Sequence, residues 1–273
     1  MTNDRVTLSI TDGVADVRLA RPDKMNALDE AMFDALVETG ERLRHDASVR
    51  AIVLSGEGKA FCAGLDMGRF EAMRDGGAAA AQPTGRDLRT RTHGIFNKPQ
   101  AAVWAWRDMP APVIAAVHGV AFGGGLQVAL GADMRFVAPG TKMSVMEIRW
   151  GLVPDMGSTQ IMRHLVRDDI VRDLVFTGRV FLAEEAVAIG IATRLCEDPR
   201  AEALAAARAI AGRNPHAIRA AKRLLNAAPY HDVAGGVMDE SVEQAAVIGS
   251  KNQIEAASAE LARRAPVFED AAG

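Results

Sequence analysis

The chain of 273 residues is 49% hydrophobic and 25% charged, a composition typical of a packed globular protein that one large α/β unit can hold. Its formal net charge of −3 excludes nucleic acid and anionic membrane surfaces as default partners. The two cysteines, Cys62 and Cys196, form no disulfide framework, and the N-terminal segment lacks a secretory pattern, so we expect a reducing cytoplasm.

The first part of the chain alternates predicted strands and helices. Alternating apolar and polar residues at 6–19 predict a hairpin around a glycine-containing turn. A helical pattern follows at 26–43, and the apolar run at 50–54 predicts a buried strand. The stretch at 75–85 is rich in Gly, Ala and Pro and predicts a mobile loop, after which we expect a helix over 86–107.

The stretch at 113–130 is the most apolar of the chain. It contains His118, Gln127 and several glycines, which predict a buried strand, a glycine turn and a short helix ending near Gly131 rather than a membrane span. Another strand is expected at 134–137. The repeated order of strand, strand or turn, and helix predicts stacked ββα units with a largely parallel sheet.

The C-terminal part changes to an alanine-rich composition that predicts helices over 202–211, 215–227 and 233–263. Within the last of these, small and apolar residues form one stripe, made of Met238, Val242, Ala245 and Gly249. Such a stripe permits close helix packing, either against another copy of the chain or on the protein's own core.

Three familiar chemistries are not supported. The segment 56–59 (GEGK) fails as a phosphate loop, because Val53 and Ala60 stand where a glycine and a magnesium-binding hydroxyl are needed. The six histidines are scattered without metal-binding spacing, so we expect no metal. Cys62 has apolar neighbours and no adjacent base, which favours an inert thiol over a nucleophile.

Two glycine turns, at 61–66 and 119–125, each follow a predicted strand and precede a predicted helix. Glycine lets the backbone approach a ligand closely, and the first N–H groups of a helix are free to donate. Two such donors that converge on one carbonyl would form an oxyanion hole. Close packing of strand and helix is the alternative explanation for either turn alone.

Two acidic residues follow the second turn. Glu147 lies in the apolar context of 146–151 (MEIRWG), where a carboxyl has a raised pKa and can exchange protons near neutrality. The alternative is a surface glutamate in a loop. Asp155 follows eight residues later, and its alternative role is to cap a helix that begins in the next few residues.

Several segments together carry a family resemblance. They are 21–28 (RPDKMNAL), 59–67 (KAFCAGLDM), 113–136 (VIAAVHGVAFGGGLQVALGADMRF), 146–160 (MEIRWGLVPDMGSTQ) and the helix–turn pair at 183–192. On these residues the chain resembles the crotonase (enoyl-CoA hydratase/isomerase) family, in order, over nearly its whole length.

The resemblance implies a fold and a binding mode. The fold would be a crotonase-like spiral of ββα units at 1–200 that holds the CoA-thioester site, with a helical oligomerisation region at 201–273 that builds trimers or hexamers. The backbone N–H groups of Leu65 and Gly124 would bind the thioester oxygen. The residues implied to bind the CoA part of the substrate are Lys24, Met25, Ala27, Ala63, Gly64, Asp66 and Phe268. Phe268 resembles a C-terminal aromatic that in relatives contacts CoA, sometimes in a neighbouring subunit. Coenzyme A belongs to the substrate, so no separate cofactor is expected.

The acidic pattern decides between reactions within the family. In its hydratases two glutamates activate one water; the second matches Glu147, but Gln127 occupies the first position, and an amide cannot exchange a proton. Asp155 matches an aspartate that the family's dienoyl-CoA isomerases use together with the glutamate eight residues before it. Those isomerases usually carry a third acid at the position of Gln127, so the match to them is incomplete. We therefore predict an isomerase in which Glu147 and Asp155 transfer protons and Gln127 orients substrate or water.

Two alternatives to the isomerase stay open: a hydratase with Glu147 as its sole acid/base, and a catalytically silent CoA-ester-binding paralogue. The acyl chain is not encoded in any one motif. We expect its pocket to be shaped by 75–85 and 86–107. Trp104, Trp106 and Trp150 are candidates for its lining, with simple core packing as their alternative role.

Overall fold

A computed structural model describes residues 4–81 and 87–271 of the chain, and its strands form two sheets. The strands are β1 (Val6–Thr11), β2 (Val14–Leu19), β3 (Ala51–Gly56), β4 (Val113–Val117), β5 (Val120–Phe122), β6 (Met134–Val137), β7 (Lys142–Ser144), β8 (Phe181–Leu182) and β9 (Arg194–Leu195). The helices are α1 (Glu30–Arg44), α2 (Met67–Ala81), α3 (Lys98–Arg107), α4 (Gly124–Leu130), α5 (Ser158–Met162), α6 (Asp168–Thr177), α7 (Ala183–Ala188), α8 (Pro199–Ala211), α9 (Pro215–Ala227), α10 (Val233–Val247) and α11 (Lys251–Leu261). Short 3₁₀ helices lie at Pro22–Lys24, Glu147–Trp150 and Ala228–Tyr230.

The larger sheet has the order β1-β2-β3-β4-β6-β9. Strands β1 and β2 pair antiparallel as the predicted hairpin, and the other neighbours pair parallel. Strands β3 and β4 are buried along their whole length, which is why they are apolar without alternation. The smaller sheet has the order β5-β7-β8, and β5 lies inside the segment predicted as a glycine turn.

Successive residues of the central strands face two different apolar layers. Leu54 lies in the main core, which also contains buried residues of α1, α3 and α4, whereas its neighbour Val53 lies in a second core under α8. Helix α8 contributes small side chains such as Ala207, which let it approach the sheet closely. The helical region after residue 200 therefore begins with a helix packed on the sheet, and the division into 1–200 and 201–273 stays a prediction.

Helix α3 begins later than expected, so the prediction of a helix over 86–107 is wrong in its first part. Residues 87–97 form turns and bends. The Asn97 side chain accepts from the Gln100 backbone N–H at 3.0 Å, and the Gln100 side chain accepts from the Asn97 N–H at 3.1 Å. This reciprocal capping box satisfies the free donors of a first turn and sets where the helix starts.

The loop predicted at 75–85 is corrected for residues 75–81, which continue α2, and residues 82–85 lie outside the described part of the chain. Alanine has the strongest intrinsic helix propensity of all residues, and a run of alanines follows the two glycines of this stretch. Composition alone therefore gave the wrong structure here.

The long C-terminal helix predicted over 233–263 is two helices. Ile248 leaves the helical region with φ −58° and ψ 131°, and Gly249 follows with φ +74°. Ser250 then caps α11, since its hydroxyl accepts from the Gln253 N–H at 3.3 Å.

Helix α10 has no buried residue in the single chain, so its apolar stripe does not pack on the protein's own core. The stripe residues Met238 and Val242 are 63% and 60% exposed. Across the described ranges, no helix combines the length and the apolar character that a bilayer crossing requires.

Candidate active site

The two glycine turns meet at one edge of the larger sheet. Because β3 and β4 are parallel, the loops that follow them leave from the same edge. The Phe61 N–H donates to the His118 carbonyl at 2.9 Å, and the Cys62 N–H donates to the Val120 carbonyl at 3.1 Å. The Phe122 N–H donates back to the Cys62 carbonyl at 3.1 Å. The two loops therefore run side by side.

Gly64 and Gly124 lie at the contact between the two turns. A Cβ atom on Gly64 would lie 2.5 Å from the Phe122 carbonyl oxygen and 3.8 Å from the Gly124 nitrogen, and the backbone of Gly64 has φ +89°. Within the described ranges, the N–H groups of Leu65 and Gly124 have no backbone or side-chain acceptor. Two unused donors on adjoining turns are what an oxyanion hole requires, and the predicted pair stays a prediction.

Asn26 fixes the segment that precedes α1 against the first of these loops. Its buried side chain accepts from the Arg21 N–H at 2.8 Å and donates to the carbonyls of Glu57 and Ala60, both at 2.9 Å. The backbone of Asn26 is in the left-handed region, φ +55°, which asparagine tolerates better than most residues. One amide therefore satisfies three backbone groups and joins the two segments.

The residues expected to bind CoA lie mostly along this segment and the loop after β3. The structure places them as follows: Lys24 and Met25 are exposed, Ala27 is buried, Ala63 and Asp66 are partly buried, and Gly64 is buried. The Ala63 N–H donates to the Met25 carbonyl at 2.9 Å, and Asp66 accepts from the Arg21 guanidinium at 2.5 Å. These contacts join the two segments into one continuous surface beside the turns.

Phe268 does not lie at this site in the same chain. Its carbonyl accepts from the Arg50 guanidinium at 2.8 Å, and Arg50 directly precedes β3. The glycine turns follow the other end of β3, about 20 Å away for six residues at roughly 3.3 Å each. Within one chain, Phe268 is therefore separated from the other residues predicted to bind substrate.

Glu147 lies against the second glycine turn. It begins a 3₁₀ helix and is 9% exposed, and a Cβ on Gly123 would lie 3.5 Å from its Oε1 atom. Its Oε2 atom is buried and has no hydrogen-bond partner in the described part of the chain. Burial raises the pKa of the Glu147 carboxyl, and the negative charge of Asp155 raises it further, against a hydrogen bond from Gln127 that lowers it.

Gln127 is buried on α4, and both ends of its amide are used. The Nε2 group donates to Glu147 Oε1 at 2.6 Å. The Oε1 atom accepts from the Met156 N–H at 3.0 Å and from the Ser158 N–H at 3.4 Å. The structure therefore brings Gln127 and Glu147 into direct contact.

Asp155 lies one residue before Met156, at the open side of the same cluster. Its side chain is accessible to solvent, but many protein atoms surround it, and this desolvation raises the pKa of its carboxyl. It does not cap α5, whose N-cap is Gly157. Glu147 and Asp155 are close enough for the charge of one to affect the titration of the other.

Cys62 has the environment of a structural thiol. It is fully buried, its Sγ donates to the Asn26 carbonyl at 3.0 Å, and burial raises the pKa of the thiol to about 12. A thiol with this pKa is not ionised at neutral pH, so it is a poor nucleophile. The geometry agrees with the inert role favoured from the sequence.

The three tryptophans have different environments. Trp106 is fully buried in the core, and Trp104 stacks on Phe96 with ring centroids 5.0 Å apart. Trp150 ends the 3₁₀ helix of Glu147, is 45% exposed and stacks on Phe70 of α2 at 4.0 Å. Sequence reasoning missed Phe70. Its signal was an aromatic residue in the helix directly after the first glycine turn.

Comparison with known proteins gives the same family as the sequence motifs. The family model for enoyl-CoA hydratase/isomerase matches residues 9–271. The human protein named Delta(3,5)-Delta(2,4)-dienoyl-CoA isomerase, mitochondrial, is 34% identical over 244 residues, which cover 84% of this chain and 70% of that protein. The human protein named enoyl-CoA hydratase domain-containing protein 2, mitochondrial, is 31% identical over 265 residues, with 94% and 85% covered.

Solved structures of enoyl-CoA hydratases have the same fold as this chain. The crystal structure of an enoyl-CoA hydratase from Bacillus anthracis has a TM-score of 0.86 and 26% identity, and 97% of this chain and 98% of that chain are covered. The chain therefore belongs to the enoyl-CoA hydratase/isomerase family, and the predicted crotonase-like α/β fold with a helical C-terminal region is confirmed. The cytoplasmic location expected from the sequence stays a prediction.

Proposed function

We propose that the protein isomerises a dienoyl-CoA thioester by moving its two double bonds into conjugation with the thioester carbonyl. The single observation that carries this proposal is the pair of acids, Glu147 and Asp155, that interact beside the glycine turns while an amide, Gln127, occupies the place of a third acid. The relative named as a dienoyl-CoA isomerase, at 34% identity, supports the same reaction.

The N–H groups of Leu65 and Gly124 stabilise the negative oxygen that forms when the thioester loses a proton from C2. Each turn presents at least one unused donor among the described residues, and the turns touch at Gly64. Donors that are already fixed in place need no reorganisation during the reaction, and one such donor contributes about 3 kcal/mol to lowering the barrier. The resulting dienolate carries its charge along the conjugated chain to C6.

Glu147 and Asp155 move the protons at the two ends of this dienolate. One group removes a proton from C2 and must be ionised, and the other supplies a proton at C6 and must be protonated. Both carboxyls have a raised pKa, and the charge of Asp155 disfavours ionisation of Glu147. Ionisation of Asp155 therefore favours the protonated form of Glu147, and one ionised and one protonated carboxyl is the state that the reaction needs.

The substrate is held as a CoA thioester along Lys24, Met25, Ala27 and the loop after β3, and the protein forms trimers or hexamers. The exposed apolar face of α10 supports assembly, because apolar residues of this helix such as Met238 have no cover in the single chain. Phe268 reaches a site only in a neighbouring subunit. Light scattering should therefore give three or six times the 29.0 kDa of the chain.

Hydration of an enoyl-CoA is the second candidate function. It is favoured by Glu147, which alone has a buried, unpartnered carboxylate oxygen beside the glycine turns within the described residues. The relative with the enoyl-CoA hydratase domain supports it too. Against it, Gln127 cannot take or release a proton, and its amide already donates to Glu147.

Turnover on two substrates side by side tests the proposal. The purified protein is given a 3,5-dienoyl-CoA and crotonyl-CoA at neutral pH, and ultraviolet absorbance is followed. Growth of the conjugated 2,4-dienoyl signal with little loss of crotonyl absorbance is the expected result. Rapid crotonyl hydration without dienoyl turnover would reassign the enzyme as a hydratase, and binding of both thioesters without turnover would indicate a silent binding protein.

A further inference from the structure

We propose that Gln127 is a positioning residue that selects isomerisation over hydration: it holds one oxygen of Glu147 and leaves the other, which has no partner among the described residues, to exchange a proton with the substrate. The inference rests on the proposed function for its choice of reaction. Its structural part, the control of Glu147 by the amide, can be tested without that function.

The amide has a fixed orientation. Its oxygen accepts two backbone N–H groups, from Met156 and Ser158, so the Nε2 group must point the other way, where it donates to Glu147 at 2.6 Å. The side chain is 2% exposed, which leaves little room for it to rotate. Gln127 therefore cannot turn to hold a water in place of the carboxylate without breaking contacts to the backbone.

The Gln127 side chain connects Glu147, the segment that contains Asp155, and the second glycine turn. It belongs to α4, whose first residue, Gly124, carries a predicted oxyanion donor. It contacts Glu147 directly, and it accepts from the N–H of Met156, the residue that follows Asp155. Glu147, Asp155 and the second glycine turn are thus placed relative to one another by a single buried amide.

The remaining oxygen of Glu147 then has a defined role. The Oε1 atom accepts from the amide, whereas Oε2 is buried and has no partner among the described residues. An N–H donor favours the ionised form of the carboxyl, which opposes the effect of burial. A carboxyl at position 127 would instead share a proton with Glu147 and give water a second proton-exchanging group.

Two substitutions separate the effect of the hydrogen bond to Glu147 from the effect of a second acid at position 127. Gln127→Met keeps the approximate shape and removes the hydrogen bonds. Gln127→Glu can still accept from Met156 and Ser158, so it keeps the backbone contacts, but it replaces the donor to Glu147 with a second acid. Both variants are compared with the wild type by the pH dependence of kcat/KM and by ¹³C NMR titration of labelled glutamate carboxyls, with the Glu147 signal assigned from Glu147→Gln.

In Gln127→Met the Glu147 carboxyl loses a donor, so its titration and the limb of the rate profile that it controls should move to higher pH by about one unit or more. In Gln127→Glu the shift should be at least as large, and the ratio of crotonyl hydration to dienoyl isomerisation should rise by about tenfold or more. An unchanged Glu147 titration in both variants would overturn the inference, and so would an unchanged ratio in Gln127→Glu. If Gln127→Met does not fold, Gln127→Glu decides the matter alone.

Failure of the proposed function gives a different result. A wild-type protein that does not isomerise the dienoyl thioester refutes that function, while the NMR titration still tests whether Gln127 controls Glu147.

Discussion

Gly64→Ala is expected to abolish most of the activity by separating the two turns. The added Cβ would lie 2.5 Å from the Phe122 carbonyl oxygen, a distance that requires one backbone to move. The substitution also forces alanine into φ +89°, which costs about 1–2 kcal/mol. Movement of the turn that carries Leu65 should remove one oxyanion donor, whose loss lowers kcat by about 10²–10³-fold.

The assay is kcat on a 3,5-dienoyl-CoA together with the thermal midpoint of unfolding. Gly140→Ala is the matched control, because Gly140 has φ +70° and a Cβ there would have no atom within 4 Å. It should lose only the stability that the positive φ costs, and keep its activity. If Gly64→Ala retains the kcat of the control, the contact between the turns does not support the oxyanion hole, and this reasoning is wrong.

Three further predictions concern the acids and the aromatic pair. Glu147→Gln should lower kcat by about 10²–10⁴-fold. Because burial raises the Glu147 pKa in the folded state, the wild type loses stability as pH rises through that pKa, so melting curves from pH 4 to 8 should show the variant gaining relative to the wild type. The pH profile of kcat/KM should be bell-shaped, since both carboxyls protonated leaves no base and both ionised leaves no acid. Trp150→Ala removes a stack on Phe70 that contributes about 0.5–1.5 kcal/mol, and we expect it to raise KM for long acyl chains more than for short ones.

The order of the site's segments along the chain could be predicted from sequence, but the contact between the two glycine turns could not. The two glycine turns are local features, and strand–turn–helix order was enough to find them. Their contact depends on the parallel pairing of β3 and β4, in which Ile52 lies opposite Val113, and that pairing joins residues about sixty positions apart. The family resemblance supplied this long-range information, which periodicity does not contain.

The hydrogen bonds of Gln127 could not be predicted from the sequence for a different reason. Its oxygen is held by backbone N–H groups of Met156 and Ser158, and backbone groups are the same whatever the side chain. The sequence therefore showed that an acid was missing at this position, but not that the amide contacts Glu147. The role first predicted for Gln127, orienting substrate or water, stays a prediction beside the positioning role proposed above.

Local sequence signals mark two helix boundaries that the predictions missed: the start of α3 and the break between α10 and α11. Asn97 and Gln100 have the spacing of a capping box, which should have moved the start of α3 from 86 to 98. Gly249 followed by Ser250 is a common end and a common start of helices. The predicted helix over 233–263 includes Gly249, which instead lies between α10 and α11.

The central claim is that two acids, rather than one, move the protons, and isotope incorporation tests it most directly. The enzyme converts a 3,5-dienoyl-CoA in D₂O, and the early product is analysed by NMR. If Glu147 and Asp155 act at opposite ends of the dienolate, the 2,4-dienoyl product should carry deuterium at C6 from the first turnovers. A product with only hydrogen at C6 would mean that one group carries the C2 proton along the chain, and a 3-hydroxyacyl product would mean that the site adds water instead.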